Sequence, residues 1–168
     1  MKKLLIFLFV FCILNTDTTF AMQPVSTDIT FGYSTNHQGL SFMKAFNDTA
    51  LNDTTFKDKN YLGKIIYSQM ETAPSAPKKS YIDILEVGSD HQNKGIGSEL
   101  FIRSLEDMQS RNITIVRWYA VNDSVSFYKK FGARSRCVSI YDPSDADMEF
   151  DFTRDGNPRI RFNKRNER

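Results

Sequence analysis

The chain has 168 residues, of which 40% are hydrophobic and 25% charged, so it can bury one sizeable core and we expect one domain. A formal net charge of +2 is too small to predict a nucleic acid or an anionic membrane as partner, and two histidines give little material for a metal site. Only Cys12 and Cys137 are present, and Cys12 lies in the N-terminal segment described next, so no intramolecular disulfide is expected.

Residues 1–21 have the pattern of a secretory signal peptide. A basic start precedes an apolar run at residues 4–14, and small residues at 19 and 21 allow cleavage before Met22. The run is too short to span a bilayer comfortably, so no stable membrane span is expected after cleavage. The pattern predicts export to the periplasm or the medium. The alternative is a true start at Met22, which would give a cytoplasmic protein.

The first part of the chain is predicted to form a strand, a short helix and a hairpin before a central strand. Residues 29–33, ITFGY, alternate as in a strand. The helix is predicted from apolar residues at helical spacing: Leu40, Met43, Phe46, Ala50 and Leu51. Residues 54–57 and 61–70 flank the turn-forming triplet DKN and predict a hairpin. Residues 81–87, YIDILEV, are rich in β-branched and apolar residues and predict a central strand.

A crossover unit of strand, helix and strand follows. The helix is predicted to run to about Arg111 and has one apolar face: Ile96, Leu100, Phe101, Leu105 and Met108. Residues 113–121 predict the second strand, which should lie parallel to residues 81–87 or splay from a parallel start.

The last part of the chain is predicted to form a helix, a hairpin and a tail. Asn122 or Asp123 can cap a helix at residues 124–131, and Gly132 stands where a left-handed closing residue is needed. The hairpin is predicted at residues 135–141 and 147–153, and the basic tail of residues 154–168 is expected to be loose. The folded domain is therefore predicted at residues 22–153.

The stretch HQNKGIGSELF, residues 91–101, places two glycines directly before the crossover helix. A helix start leaves amide N–H groups without partners and favours negative charge, so such a loop can bind phosphate. No G-x-x-x-x-G-K-[ST] motif is present, and Leu100 stands where the dinucleotide fingerprint needs a third small residue. The remaining match is Gln-x-x-Gly-x-Gly, from Gln92 to Gly97.

With its neighbours, this motif resembles that of the GCN5-related N-acetyltransferase (GNAT) family. The family sets a Leu-x-Val strand five residues before the Gln, and Leu85 and Val87 fit it. Downstream, the family places an Asn at the end of the next strand and a Tyr six residues later, which match Asn122 and Tyr128. Ala133 replaces the usual Phe in the sequence KKFGA. The resemblance covers roughly residues 29–135.

The resemblance implies an α/β (α+β) fold. We expect a mixed, mostly antiparallel sheet with a central splayed pair of parallel strands, flanked by helices, and acetyl-CoA as co-substrate in the wedge between the splayed strands. The segment between the first strand and the hairpin is short, so the acceptor wall, which family members build from two helices, is expected to be reduced to one.

The resemblance also implies which residues bind the co-substrate. The diphosphate would lie on the amides of one loop: Gln92, Asn93, Lys94, Gly95, Ile96, Gly97 and Ser98. Lys94 would add charge, or it is a solvated loop lysine. The pantetheine arm would pair with the backbone of Leu85 to Val87, which also serve as core strand. Asn122 would hydrogen-bond the co-substrate, or it is needed only as a helix cap.

The catalytic groups are less completely defined. By resemblance Tyr128 is the acid that protonates the departing thiolate; the alternative is a core aromatic residue. Some family members carry a Glu that acts as the general base near the end of the fifth strand, but Trp118 occupies the matching position here. Glu86 and Asp83 are therefore equal candidates for the base, and period-two alternation places them on opposite faces of the strand. A chain of waters could replace both.

The resemblance implies an N-acetyltransferase that moves acetyl from acetyl-CoA to a primary amine by direct attack, so Cys137 is not proposed as a nucleophile. The acceptor, small molecule or protein, stays open, as does the oligomeric state. An acidic run near the C-terminus either attracts a cationic amine or forms a solvated turn: Asp142, Asp145, Asp147, Glu149 and Asp151. The competing function is a non-catalytic member that binds an acyl-CoA or contacts a partner, because an exported chain would meet little acetyl-CoA.

Overall fold

The computed structural model describes residues 29–36, 39–47, 61–121 and 124–159. Three predicted features lie outside the described residues: the leader at residues 1–21, the first hairpin strand at residues 54–57, and Asn122. The strands are β1 Ile29–Thr35, β2 Leu40–Asn47, β3 Tyr61–Met70, β4 Lys79–Val87, β5 Ile115–Ala120, β6 Arg134–Val138 and β7 Ala146–Asp151. The helices are α1 Ile96–Ser110, α2 Ser124–Lys129 and α3 Phe152–Asp155.

Within the described residues the strands form one mixed sheet of seven, in the order β1, β2, β3, β4, β5, β7, β6. Every neighbouring pair is antiparallel except β4 and β5, which are parallel. The predicted fold class is therefore confirmed.

The parallel pair is short and then opens. β4 and β5 pair at three positions, of which the last joins Tyr81 to Arg117. Beyond it β4 runs on to Val87 and β5 to Ala120 without pairing to each other, so the strands separate towards their carboxyl ends. This is the predicted splay, and it opens a wedge in the middle of the sheet.

The crossover helix α1 packs on one face of the sheet, which we call the helix face. Its buried stripe contains the predicted apolar residues: Ile96, Leu100, Phe101, Leu105 and Met108. On β3, the Tyr67 hydroxyl donates to Asp107 Oδ2 of α1 over 2.7 Å. Within the described residues no helix is long and apolar enough to cross a membrane.

The helix predicted from Leu40 onward is wrong, because residues 40–47 form strand β2. Met43 and Ala45 are buried and alternate with partly covered or exposed residues. A short run that is apolar on both faces fits a strand between two neighbours as well as a helix, and pairing with β1 and β3 decides it. The expected one-helix acceptor wall belongs to the segment between β1 and β3, of which residues 48–60 lie outside the described residues, so it stays a prediction.

The tail predicted to be loose from Arg154 is folded as far as residue 159, and this is a second correction. Asp151 caps the single turn α3 by accepting from the Thr153 amide over 2.9 Å. Asp155 is only 2% exposed and forms an ion pair with Arg154 at 2.7 Å. Two of the basic residues that suggested a solvated tail, Arg154 and Arg159, are thus bound by carboxylates. Residues 160–168 lie outside the described residues.

Gly63 on β3 allows β3, β4 and α1 to pack closely beside the wedge. A Cβ at Gly63 would lie 2.7 Å from the Glu86 carbonyl oxygen and 3.3 Å from Leu100 Cδ1. We expect Gly63→Ala to lower the free energy of unfolding by about 1–3 kcal/mol, because the backbone oxygen cannot move aside cheaply. Urea unfolding measures this change.

The matched control is Gly32→Ala on β1, where the nearest atom to a Cβ would be a side-chain carbon of Phe46 at 3.3 Å. Because a side chain can shift, the control should lose less stability. Equal losses in the two variants would contradict the packing argument.

Candidate active site

The loop before α1 ends in a left-handed helix cap. Gly95 is the N-cap with φ of 79°, and Asn93 has φ of 59°, so the loop contains two left-handed residues. The amide of Glu99 makes the first hydrogen bond of the helix, because it donates to the carbonyl oxygen of the N-cap Gly95 over 3.0 Å. No side chain caps the helix. The amides of residues 96–98 therefore form a site of positive potential that suits an anion.

The loop is tied to the end of β4. Gln92 Nε2 donates to the Val87 carbonyl oxygen over 3.3 Å, and a single 3-10 turn at Ser89–His91 bridges the gap. The Gly88 amide donates to the Leu62 carbonyl oxygen of β3 over 3.0 Å. These bonds hold the helix start against the open end of β4, and they give Gln92 a structural role independent of any ligand.

Three elements of the predicted site meet at Gly97. A Cβ at this glycine would lie 3.3 Å from Val87 Cγ2 of β4 and 3.9 Å from Phe127 Cζ of α2. The start of α1, the end of β4 and helix α2 are therefore in van der Waals contact. The loop and the strand that the sequence predicts to bind one ligand lie together at the mouth of the wedge.

Tyr128 of α2 belongs to an aromatic cluster between α1, β5 and α2. Its ring centroid lies 5.2 Å from that of Phe101, 4.9 Å from that of Trp118 and 5.0 Å from that of Phe127. The residue is 7% exposed, and burial raises the pKa of its hydroxyl to about 12. Tyr128 can thus be a core aromatic residue and an acid at once, because its ring packs in the core while its hydroxyl stays protonated near neutral pH.

Trp118 occupies the position where a basic carboxylate was sought in the sequence, and its ring packs against that of Tyr128. It follows Arg117, the last β5 residue paired to β4, and is 2% exposed beneath Tyr128. Its Nε1 is the one buried side-chain nitrogen or oxygen without a hydrogen-bond partner among the described residues. A carboxylate at this position would be buried among aromatic rings, where its charged form would be costly.

A bulge in β4 alters the geometry of the two candidate bases. Ile66 of β3 pairs with Ile84, whereas Tyr67 pairs with Ile82, so Asp83 is an extra residue in β4. The bulge shifts the alternation of side chains, because Ile82 is buried and Val87, an odd number of positions later, contacts α1.

Asp83 and Glu86 consequently share the face of the sheet opposite the helix face, and the expectation of opposite faces is wrong. Asp83 accepts a hydrogen bond from the Ser68 side chain, and Glu86 is bound by Lys64. Lys64 and Ser68 are four residues apart on β3 and so lie on one face. Both carboxylates border the wedge from that side.

The surroundings of these carboxylates push their pKa values apart. Hydrogen bonds from Lys64 Nζ at 2.8 Å and from the Tyr61 hydroxyl at 2.9 Å lower the pKa of Glu86. Asp83 is exposed as a residue, but partial burial of its carboxyl raises its pKa, and the hydrogen bond from Ser68 offsets only part of that rise. A carboxylate with a raised pKa is the stronger proton acceptor, so the chemistry of this face favours Asp83 as the base.

Comparison of the sequence with protein families agrees with this geometry. The sequence model of the acetyltransferase (GNAT) family matches residues 19–133, more than half of the chain. The chain belongs to the GNAT acetyltransferase family. The family predicted from the glycine motif is thereby confirmed. A comparison with curated proteins finds no significant sequence match.

Solved structures show the same GNAT fold. A putative acetyltransferase of the GNAT family from Desulfovibrio desulfuricans is 12% identical, with a TM-score of 0.54 over 73% of this chain and 98% of that chain. An IAA acetyltransferase from Bacillus cereus is 15% identical, with a TM-score of 0.52 over 73% and 99% of the two chains. An Arabidopsis thaliana protein in complex with the bisubstrate analogue CoA-Ac-MVNAL is 23% identical, with a TM-score of 0.52 over 66% and 72%.

The acidic run of this GNAT chain is occupied by contacts within the protein. Glu149 forms a hydrogen bond with Arg117 Nε at 3.1 Å, and Asp145 accepts from the Tyr119 hydroxyl at 3.1 Å. Asp147 accepts from the Cys137 thiol, and this contact raises the pKa of Cys137. Asp142 accepts from the Ser144 amide at 2.8 Å. These contacts favour the interpretation of the acidic run as a turn and strand edge over a role in attracting an amine.

Two site features of this GNAT domain were missed in the sequence. Gly63 lies opposite Val87 and allows the close approach of the strands, but an isolated glycine in a strand pattern also fits an ordinary strand. The bulge at Asp83 leaves no signal in YIDILEV, because every residue of that segment also fits a regular strand. Asn122, predicted to bind the co-substrate, lies outside the described residues.

Proposed function

We propose that the chain is an acetyl-CoA-dependent N-acetyltransferase that moves acetyl to a primary amine by direct attack. The observation that carries the proposal is the meeting of the uncapped start of α1, the open end of β4 and α2 at Gly97. That arrangement offers an anion site, an unpaired strand edge and a buried phenol within one wedge. Family membership and the neighbouring structure bound to a CoA bisubstrate analogue support this assignment.

In this proposal the co-substrate binds mainly to backbone. Its diphosphate lies on the amides of residues 93–98, with exposed Lys94 adding positive charge. Beyond Tyr81, β4 pairs only with β3, so the backbone of Leu85 to Val87 can pair with the pantetheine arm as an added strand. By resemblance Asn122, which lies outside the described residues, would contribute a further hydrogen bond to the co-substrate.

In this proposal the acid and the base lie on opposite faces of the sheet. Tyr128 packs on the helix face, and Asp83 lies on the opposite face, from which the amine enters. The amine nitrogen attacks the carbonyl carbon of the thioester as its proton passes to Asp83. The carbon–sulfur bond breaks, the sulfur takes the Tyr128 proton, and solvent restores both groups.

The function is tested by thermal shift and turnover on the purified protein. CoA at about 100 times its dissociation constant should stabilise the fold by about 2.7 kcal/mol. A panel of amines, including peptides, polyamines and amino sugars, should then reveal thiol release with acetyl-CoA. No stabilisation at millimolar CoA would refute the proposal, and stabilisation without turnover on any acceptor would favour the non-catalytic alternative.

The assignment of the base predicts unequal effects of two conservative variants. Asp83→Asn should lower kcat by about 10²-fold or more, whereas Glu86→Gln should lower it only slightly, because Lys64 and Tyr61 already hold that carboxylate ionised. The wild-type rate should fall as pH drops through the raised pKa of Asp83, and this acid limb should be absent in Asp83→Asn. Measurement of kcat against pH for the three proteins checks both points. A larger loss in Glu86→Gln would assign the base to Glu86 instead.

We further propose that residues 1–21 direct export, on the basis of their basic start and apolar run. Mass spectrometry of the N-terminus in fractionated cells tests this. A chain that begins at Met22 outside the cytoplasm agrees with export, and one that begins at Met22 inside it agrees with the alternative start.

A further inference from the structure

An ion cluster joins the C-terminal segment to α1, and the co-substrate chemistry above does not use it. Arg159 Nε lies 2.7 Å from Glu106 Oε1, and Arg159 Nη2 lies 3.1 Å from Glu99 Oε1. Arg103 Nε lies 2.7 Å from the same Glu99 oxygen. Two carboxylates and two guanidinium groups thus form a cluster with no net charge.

Glu99 is the member of this cluster closest to the phosphate loop. Its amide donates to the carbonyl of Gly95, so it stands in the first turn of α1, and its side chain is only 8% exposed. Arg159 is 39% exposed and reaches Glu99 from the far end of the chain. A carboxylate that is so covered depends on its cationic partners for solvation.

The position of Glu99 creates a conflict with an anionic ligand. A carboxylate in the first turn interacts favourably with the positive end of the helix, where the diphosphate would also bind. About three residues of helix rise, at about 1.5 Å each, and the reach of the Glu99 side chain separate the two negative groups, so we take their separation to be on the order of 10 Å. One uncompensated charge at that distance changes an anion's affinity by about 2-fold to about 15-fold for effective dielectric constants between 80 and 20.

We propose that Arg159 is a positioning residue for co-substrate binding, which together with Arg103 balances the charges of Glu99 and Glu106 and so leaves the helix start free for the diphosphate. The inference rests on the proposed function, since it concerns the same phosphate loop. It also gives the folded part of the C-terminal segment a role beyond stability.

Two variants that break the same contact separate this role from a structural one. Arg159→Gln leaves the cluster with a charge of −1, whereas Glu99→Gln leaves it with +1, by subtraction of one unit from the neutral set. We expect Arg159→Gln to weaken CoA binding about threefold or more, and Glu99→Gln to leave it unchanged or tighter. The double variant, which is neutral, should bind CoA like the wild type.

Isothermal titration with CoA at low and high salt measures these affinities, and the melting temperature without ligand reports folding. The difference between the variants should shrink at about 1 M salt, where the screening length is about 3 Å. Arg111→Gln is the matched control, because it makes the same charge change at the other end of α1, where Arg111 pairs with Asp107 at 2.9 Å. Its affinity for CoA should equal that of the wild type.

Each outcome decides the proposal. Weaker binding in both Arg159→Gln and Glu99→Gln, in step with their melting temperatures, would show that the cluster is only a structural staple. If Arg159→Gln fails to fold, Arg159→Lys, which keeps the charge, and Glu99→Gln still test the sign of the effect. If the wild type binds CoA and Arg159→Gln binds it equally well, this inference alone fails. If the wild type does not bind CoA, the proposed function fails with it.

Discussion

Tyr128→Phe should lower kcat by about 10²-fold to 10⁴-fold and leave the affinity for CoA unchanged. The substitution removes only the hydroxyl, and the ring contacts with Phe101, Trp118 and Phe127 remain. Steady-state kinetics with an amine acceptor, together with CoA titration, separates the two quantities. Tyr33→Phe on the edge strand β1 is the control, since it removes a hydroxyl far from the wedge and should not change kcat.

The pH dependence of the wild type provides a second check on Tyr128. An acid must be protonated to act, and a pKa raised to about 12 keeps the phenol protonated at all lower pH values. The rate should therefore show no descending limb due to Tyr128 below about pH 11. Full turnover in Tyr128→Phe would leave the aromatic contacts as the whole role of this residue.

Gly95→Val should abolish the stabilisation by CoA. At φ of 79° a β-branched side chain is strained, so the loop must either change its backbone or lose about 1–3 kcal/mol of stability. Either change displaces the amides of residues 93–98, which we assign to the diphosphate. Thermal shift at a CoA concentration that stabilises the wild type by about 2.7 kcal/mol measures the loss.

Gly39→Val separates backbone strain from loss of the phosphate site. Gly39 has φ of 77°, and no atom lies within 4 Å of the position that a Cβ would take there, so the strain should be similar. This variant should lose stability without ligand but keep the full shift with CoA. A preserved shift in Gly95→Val would remove the diphosphate from this loop.

Local sequence patterns predicted most of the elements around the wedge. The apolar stripe of α1, the β-branched run of β4 and the left-handed Gly132 after α2 were each expected and are each present. These features depend on residues close together in the chain, where helix periodicity and backbone freedom act directly. The glycine motif with its neighbours identified the GNAT family for the same reason.

Features that depend on distant partners were not predicted. Residues 40–47 fit a helix by spacing, and only pairing with β1 and β3 makes them a strand. Arg154 and Arg159 fit a solvated tail by sequence, but Asp155 binds the first of them and Glu99 and Glu106 bind the second. In both cases the local preference was weak and the contacts that decided it came from elsewhere in the chain.

The sequence alone thus determined the family, the helix start suited to a diphosphate and the phenol of Tyr128, because each depends on a short motif with local geometry. The tertiary structure alone decided which face of β4 carries Asp83 and Glu86. It did so through one extra residue in the pairing with β3, which turns both carboxylates to the same side of the wedge. A shift of one position in strand register leaves no signal in the sequence pattern, yet it reverses the direction of every side chain that follows.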